Sequence, residues 1–282
     1  MKSALVTGAS GFVGRHLVAA LRGADYQVLE HSSRDGNIAH CELPSGRIDH
    51  VFHLAAKMFV PDSWRAPADF YDVNVMGTVN VLEYCRTHSA SLTFASSYVY
   101  GQPEYLPISE DHPLRAVNPY GHTKLVAEDI CRFYATNFKA SVTIIRPFNI
   151  YGPGQTDQFL IPLLIRQALS SSPSILVNDI KPRRDYIYIG DLVDLFLASE
   201  ATPKPGIYNA GSGCSHSIAD IVKLINDLLP VAKPLESRGE TRTNEIPDVV
   251  ADISRAREAF GWTPQVEMRE GIGRTMQAMA GS

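Results

Sequence analysis

The chain has 282 residues, with 26 lysines and arginines against 30 aspartates and glutamates, for a net charge of −4. That length suits one large or two small domains and buries a core without metal or disulfide staples. The balanced charge excludes a basic face for nucleic acid or anionic membrane, and a 45% hydrophobic content excludes wholesale disorder.

In chain order, residues 4–7 form a short apolar run that reads as a buried strand. A helix follows over 12–21, with Val13, Leu17, Ala20 and Leu21 on one face and Gly23 as its stop. Strands are expected at 27–31, 50–53, 91–95 and 142–146, and helices at 75–88 and 119–138. Strands spaced by helices imply right-handed crossovers, hence a doubly wound parallel sheet, the α/β Rossmann architecture. Beyond residue 150 prolines punctuate the chain, and helices are expected at 159–169, 191–199 and 218–229. The expected division is a dinucleotide-binding domain over 1–150 and a smaller C-terminal substrate-binding lobe over 151–282. The chain is expected to return to the first domain near 184–195 and 207–211.

Between the first strand and helix lie Gly8, Ser10, Gly11, Phe12, Val13 and Gly14, a GxxGxxG cluster. Gly8 permits a tight turn, Gly11 lets backbone approach a pyrophosphate, and Gly14 allows close helix–sheet packing. At the end of the second strand, Ser33 and Arg34 suit a 2′-phosphate and favour NADP. Glu30 at the ribose would instead suit NAD.

In the stretch 118–124, Asn118 is a good cap and Pro119 a good first residue for a helix. Tyr120 and Lys124 then share one face, one turn apart. An ammonium beside a phenol favours the phenolate and is expected to lower the tyrosine pKa, making the pair a general acid/base. Ser96 leaves the strand at 91–95 on the same edge as the glycine loop, where its hydroxyl could hold a substrate oxygen.

With these motifs in place the chain resembles the extended short-chain dehydrogenase/reductase family that acts on nucleotide sugars. The resemblance covers nearly the whole chain. It rests on TGASGFVG (7–14), HLAA (53–56), SSYVYG (96–101), YGHTK (120–124), RPFNIYGPGQ (146–155), RRDYIYIGDL (183–192), YNAG (208–211) and VADISRAREAFGW (250–262). It implies Tyr120 as acid/base, Lys124 as the residue that tunes it and holds the nicotinamide ribose, and Ser96 as the catalytic hydroxyl. It also implies that Leu54, Ala55, Ala56 and Lys57 lie along the dinucleotide, with Asn74 opening the next helix. Pro147 and Phe148 fall near the nicotinamide. Asn149 and Arg184 match residues that hold the substrate diphosphate, and Arg242 and Glu245 match a late pair at its nucleotide end, although Thr243 replaces the usual proline.

The family's 4,6-dehydratases carry an Asp-Glu pair after the catalytic hydroxyl. Here Ser97 and Tyr98, expected to touch substrate, cannot replace it. A 4-ketoreductase is favoured on Arg34 and the 152–162 stretch, and a 4-epimerase that retains NAD is the alternative. A non-catalytic dinucleotide sensor would be expected to lose Tyr120 and Lys124.

The resemblance further implies a homodimer through the helices near 75–88 and 120–138. From the residues alone, Val79, Leu82 and Leu125 could equally pack on the sheet. Cys41, Cys85, Cys131 and Cys214 form no CxxC pair and read as free thiols in a reducing compartment. The nine histidines show no metal-ligand spacing. No window approaches the roughly 18 apolar residues of a membrane span, and Ala4-Leu5-Val6 is too short for a signal peptide. A cytoplasmic location is expected.

Overall fold

Buried β-rich segments alternate with amphipathic helices, and each strand–helix step in the first half returns the chain to one parallel sheet. The computed structural model describes residues 1–240 and 245–281. Along the chain, β1 (Ser3–Thr7) leads through α1 (Phe12–Gly23) to β2 (Gln27–His31) and β3 (His50–His53). Two short helices, α2 (Val60–Arg65) and α3 (Pro67–Tyr71), run through a π-helical turn at Asp72–Met76 into α4 (Gly77–His88). Then come β4 (Ser91–Ala95), α5 (Pro119–Phe138) and β5 (Val142–Pro147). The second half contains β6 (Asn149–Tyr151), α6 (Leu160–Leu169), β7 (Ile175–Val177), β8 (Arg183–Tyr188) and α7 (Ile189–Ala201). It continues with β9 (Gly206–Ala210), β10 (Ser215–Ser217), α8 (Ile218–Asn226), β11 (Leu235–Ser237), α9 (Ser254–Phe260) and α10 (Met268–Ala280).

The main sheet has the order β2-β1-β3-β4-β5-β9, and every pair is parallel. Chain order reverses between β1 and β3, so a crevice opens beyond their C-terminal ends, where open α/β sheets bind ligands. Helices α4 and α5 cover one face around Leu5, Val51, Leu82, Leu92 and Ile144. The other face packs Ala4, Val6, Phe52 and Ile145 against α1, α7 and the helices of the C-terminal half. A second sheet, β10-β8-β6, stands beside the crevice and carries the 183–192 motif.

Boundaries differ from the sequence reading where side-chain periodicity is silent. The helix expected at 75–88 is preceded by the π-helical turn, because Asn74 is drawn into buried hydrogen bonds. The helix expected at 218–229 ends at Asn226, whose side chain bonds both backbone groups of Lys233. Of the three residues weighed as interface or core, Leu82 is fully buried, whereas Val79 and Leu125 are half-buried.

Behind the crevice, Arg146 on β5 meets Glu128 on α5 in a two-pronged ion pair, Nε to Oε1 at 2.9 Å and Nη2 to Oε2 at 2.6 Å. Arg146 is 1% and Glu128 0% exposed, so neither charge has water to fall back on. The second guanidinium edge donates to the Tyr100 hydroxyl at 3.0 Å and the Glu110 carbonyl at 3.2 Å. Removing one partner strands the other, so Glu128→Ala should destabilise the fold by about 3–5 kcal/mol. The double variant Glu128→Leu/Arg146→Met should recover most of that loss in urea unfolding; equal losses in both proteins would contradict this account.

Candidate active site

The turn after β1 is closed by backbone contacts that only glycine allows. Gly8 has φ +72°, and a Cβ there would lie 2.8 Å from the Ala55 nitrogen. At Gly14 a Cβ would lie 2.2 Å from the Gly8 carbonyl oxygen, so α1 presses directly on the loop. The helix opens at Gly11 with no side chain capping its first amides. Those N–H groups and the positive end of the helix dipole, bordered by Ser10, Phe12 and Val13, fit an anionic pyrophosphate. The Leu54–Lys57 stretch follows β3 and runs alongside, with the Leu54 amide donating to the Thr7 carbonyl. The loop is also tied to the C-terminal half, since Arg15 and His16 bond the Gly154 and Pro153 carbonyls.

Asn74, expected to open the next helix and lie along the dinucleotide, sits in the π-helical turn before α4. It is buried, and its amide accepts from the Lys57 nitrogen at 2.8 Å while donating to the Lys57 carbonyl and the Thr123 hydroxyl. It holds the loop that borders the crevice, so both its polar atoms are already engaged.

Beyond β2, Ser33 and Arg34 are exposed. The nearby acids are engaged elsewhere: Glu30 pairs with Arg22 of α1, and Asp35 accepts from the Ser32 amide and hydroxyl. Those two bonds hold the Asp35 carboxyl below its ordinary range.

The Tyr120–Lys124 pair is placed by its cap. The Asn118 side chain accepts from the Gly121 amide at 2.8 Å and Pro119 opens α5, so Tyr120 sits in the first turn and Lys124 one turn on. Lys124 is 3% exposed, donates to the Ala95 carbonyl at 2.8 Å, and lies 4.8 Å from the centre of the Phe94 ring. Burial pulls its amine down to about 8. The Tyr120 phenol is pushed up from its ordinary value, not down as expected, because burial outweighs the neighbouring Ser97 hydroxyl. Desolvation dominates while the amine is directed at a backbone carbonyl.

The two serines diverge. Ser96 Oγ donates to Glu128 at 2.5 Å, joining the buried ion pair. Ser97 is the hydroxyl beside the phenol, and its Oγ is buried without a hydrogen-bond partner of standard geometry. A buried hydroxyl whose one neighbour is the Tyr120 phenol is placed where an oxygen at that phenol could also reach it.

Farther out, Tyr98 packs edge-on against Phe148, with ring centres 5.5 Å apart. Burial pushes its phenol up to about 12, against a smaller pull from Arg184. Arg184 pairs with Glu245 and donates to the Ile246 carbonyl at 2.6 Å. Asn149 is exposed on β6, next to β8, and donates to the Asp185 carbonyl. Pro147 is buried at the end of β5, and the adjoining Phe148 amide donates to the Ala210 carbonyl. Tyr98, Asn149, Arg184 and Glu245 thus lie near one another around β6 and β8, whereas Arg242 lies outside the described residues.

Sequence reasoning passed over Glu128, Arg146 and His53. Glu128 stands four residues beyond Lys124 and eight beyond Tyr120, a carboxylate on the buried helix face that requires a partner. Among the described residues no cluster of His, Cys, Asp and Glu could hold a metal, and no helix is long and apolar enough to cross a membrane.

Residues 4–211 match the profile of the NAD dependent epimerase/dehydratase family, and the chain belongs to that family. It is 32% identical to the GDP-6-deoxy-D-mannose reductase of Pseudomonas aeruginosa, over 95% of this chain and 93% of that protein. It is 30% identical to a UDP-glucose 4-epimerase of Lactobacillus helveticus, over 93% of this chain and 92% of that one. The solved structure of RMD from Pseudomonas aeruginosa complexed with NADPH superimposes with a TM-score of 0.91 at 29% identity, over 99% and 98% of the two chains. The protein is accordingly an NAD(P)-dependent enzyme of the extended short-chain dehydrogenase/reductase type.

The buried Lys124 gives a pH signature with a definite sign. Its folded-state value, about 8, lies below the ordinary 10.5. Below pH 8 both states carry the proton and the burial penalty is complete. Between there and the ordinary value the unfolded chain binds more protons, so stability rises with pH. Urea unfolding should show the wild type gaining stability relative to Lys124→Met across that window; a flat or falling difference would contradict a buried, charge-bearing amine.

Proposed function

We propose that the protein transfers hydride at C4 of a nucleotide-diphosphate sugar, acting as an NADPH-dependent 4-ketoreductase with Tyr120 as acid. The observation that carries this reading is the Tyr120–Lys124 pair on one face of α5, with the buried Ser97 hydroxyl beside the phenol. The dinucleotide, when bound, supplies the hydride. Tyr120 delivers its proton to the oxygen that was the C4 carbonyl, and Ser97 holds that oxygen in line. Lys124, buried with a lowered pKa, exchanges the Ala95 carbonyl for the nicotinamide ribose and the phenol's surroundings, easing proton transfer. Ser96 serves the site through Glu128.

Elimination of water is disfavoured because Ser97 and Tyr98 follow Ser96 where a carboxylate pair would be needed. Tyr98 is no carboxylate base, and its hydroxyl is already engaged in donating to the Gly101 carbonyl. Arg184 and Asn149 are proposed to receive the diphosphate, with Glu245 releasing Arg184 as it binds. NADP is favoured over NAD because Arg34 is exposed while Glu30 and Asp35 are engaged with Arg22 and Ser32. The 4-epimerase reading, with NAD retained through the cycle, is supported by similarity to the UDP-glucose 4-epimerase.

Incubation with a panel of NDP-sugars and NDP-4-ketosugars separates these: net NADPH oxidation with a ketosugar supports reduction, whereas C4 inversion without net redox supports epimerisation. Tyr120→Phe should lower turnover by about 10²-fold or more with dinucleotide binding intact. Ser97→Ala should lower turnover more than stability, and Ser96→Ala the reverse; full activity in Tyr120→Phe removes the proposal. Arg34→Ala should weaken NADPH binding about tenfold and leave NADH unchanged, as loss of a charge-assisted contact requires. Equal effects on both would assign the 2′ end to other residues.

A further inference from the structure

Between the cofactor loop and the catalytic helix runs a buried hydrogen-bond chain centred on His53, a residue with no part in the chemistry above. His53 is 1% exposed at the end of β3, with Thr7 of β1 on one side and Thr78 of α4 on the other. Its Nδ1 lies 2.7 Å from the Thr7 hydroxyl, and its Nε2 lies 3.1 Å from the Thr78 hydroxyl. Donor counting fixes every direction. Thr78 has one proton and gives it to the Asn74 carbonyl at 2.7 Å, so it accepts from His53 Nε2–H. Thr7 accepts from the Ala55 amide at 3.2 Å and donates to His53 Nδ1. Burial, reinforced by the charge of Lys124, pulls the imidazole down to about 3, so it stays neutral and in one tautomer at any working pH.

From Asn74 the chain reaches the catalytic helix. The Asn74 amide donates to the Thr123 hydroxyl at 2.9 Å, and Thr123 donates to the Tyr120 carbonyl at 2.7 Å. At the other end, Ala55 is the residue whose nitrogen closes on Gly8. Each link is buried or nearly so, where an unsatisfied group is expensive and the arrangement therefore resists sliding.

We propose that His53 is a positioning residue that sets the first turn of α5 against the glycine loop, and so the Tyr120 phenol against the bound nicotinamide. The inference rests on the reading of Tyr120 as the acid/base. His53 touches neither dinucleotide nor sugar; it acts through Thr78, Asn74 and Thr123. Removing a link loosens the spacing between cofactor and phenol while the glycine loop keeps its own fold.

The test uses the full chain and NADP⁺, with no sugar. A positive nicotinamide near the phenol lowers the pH at which Tyr120 ionises, and that displacement falls off with distance. Lys124, on the same helix face, and Ser97 also bear on the phenol and are unchanged in every variant compared. Phenolate absorbance is titrated with and without NADP⁺, and Tyr120→Phe provides the blank. In Thr78→Val, which keeps the side-chain shape, the NADP⁺-induced displacement should shrink by about half or more while NADP⁺ affinity stays within about threefold. Thr78→Ser, which keeps the hydroxyl, should restore it, and His53→Phe should behave as Thr78→Val. An unchanged displacement in Thr78→Val, a loss of NADP⁺ binding there, or failure of Thr78→Ser to restore it overturns the proposal alone. Absence of any displacement in the wild type removes both this inference and the assigned role of Tyr120.

Discussion

Helix α5 carries Tyr120 and Lys124 on one face, and its rotation is held by the ion pair between Glu128 and Arg146. Glu128 lies on that same face, two turns below Tyr120. Arg146 reaches it from β5 with a planar fork, which accepts a carboxylate in one orientation. Tyr100, bonded to both Arg146 and Asn209, extends the network to β9 at the sheet edge. A leucine pair of similar volume would hold the helix with comparable strength, but apolar contacts tolerate rotation by a fraction of a turn. Charges that have left water do not, because any loss of geometry leaves a buried group unmatched.

The opposite wall of the crevice is set by close approach rather than charge. Gly8 and Gly14 let α1, the loop after β1 and the loop after β3 come within backbone contact. This leaves the first amides of α1 facing the place where the sheet's chain order reverses. The C-terminal half is anchored by Asp185, a buried carboxylate that accepts from Ser212, Gly213 and Ala251. Its neighbour Arg184 pairs with Glu245 and donates to the Ile246 carbonyl.

Function follows from how these walls differ. One presents backbone N–H groups suited to phosphate. The other presents a phenol, an amine and a hydroxyl in a desolvated setting, where proton affinities depart from their values in water. Burial shifts both in the direction that favours the neutral form, the Tyr120 phenol upward and the Lys124 amine downward.

Much of the architecture was legible in the chain itself. Alternating strand and helix periods, the cap at Asn118, the four-residue step from Tyr120 to Lys124 and the glycine spacing are local properties, and local geometry translates them directly. The division of labour between Ser96 and Ser97, the engagement of Asn74 with Lys57, and the upward shift of the Tyr120 phenol were not legible. Each depends on which group from a distant segment arrives in space: Glu128 for Ser96, Lys57 and Thr123 for Asn74, and the exclusion of water for Tyr120. By itself the sequence determined the fold class and marked the glycine cluster and the Tyr120–Lys124 step as candidates, because their signals repeat within a few residues. Only the tertiary structure decided what each polar side chain faces, because hydrogen-bond partners and desolvation are set by residues far apart in the chain.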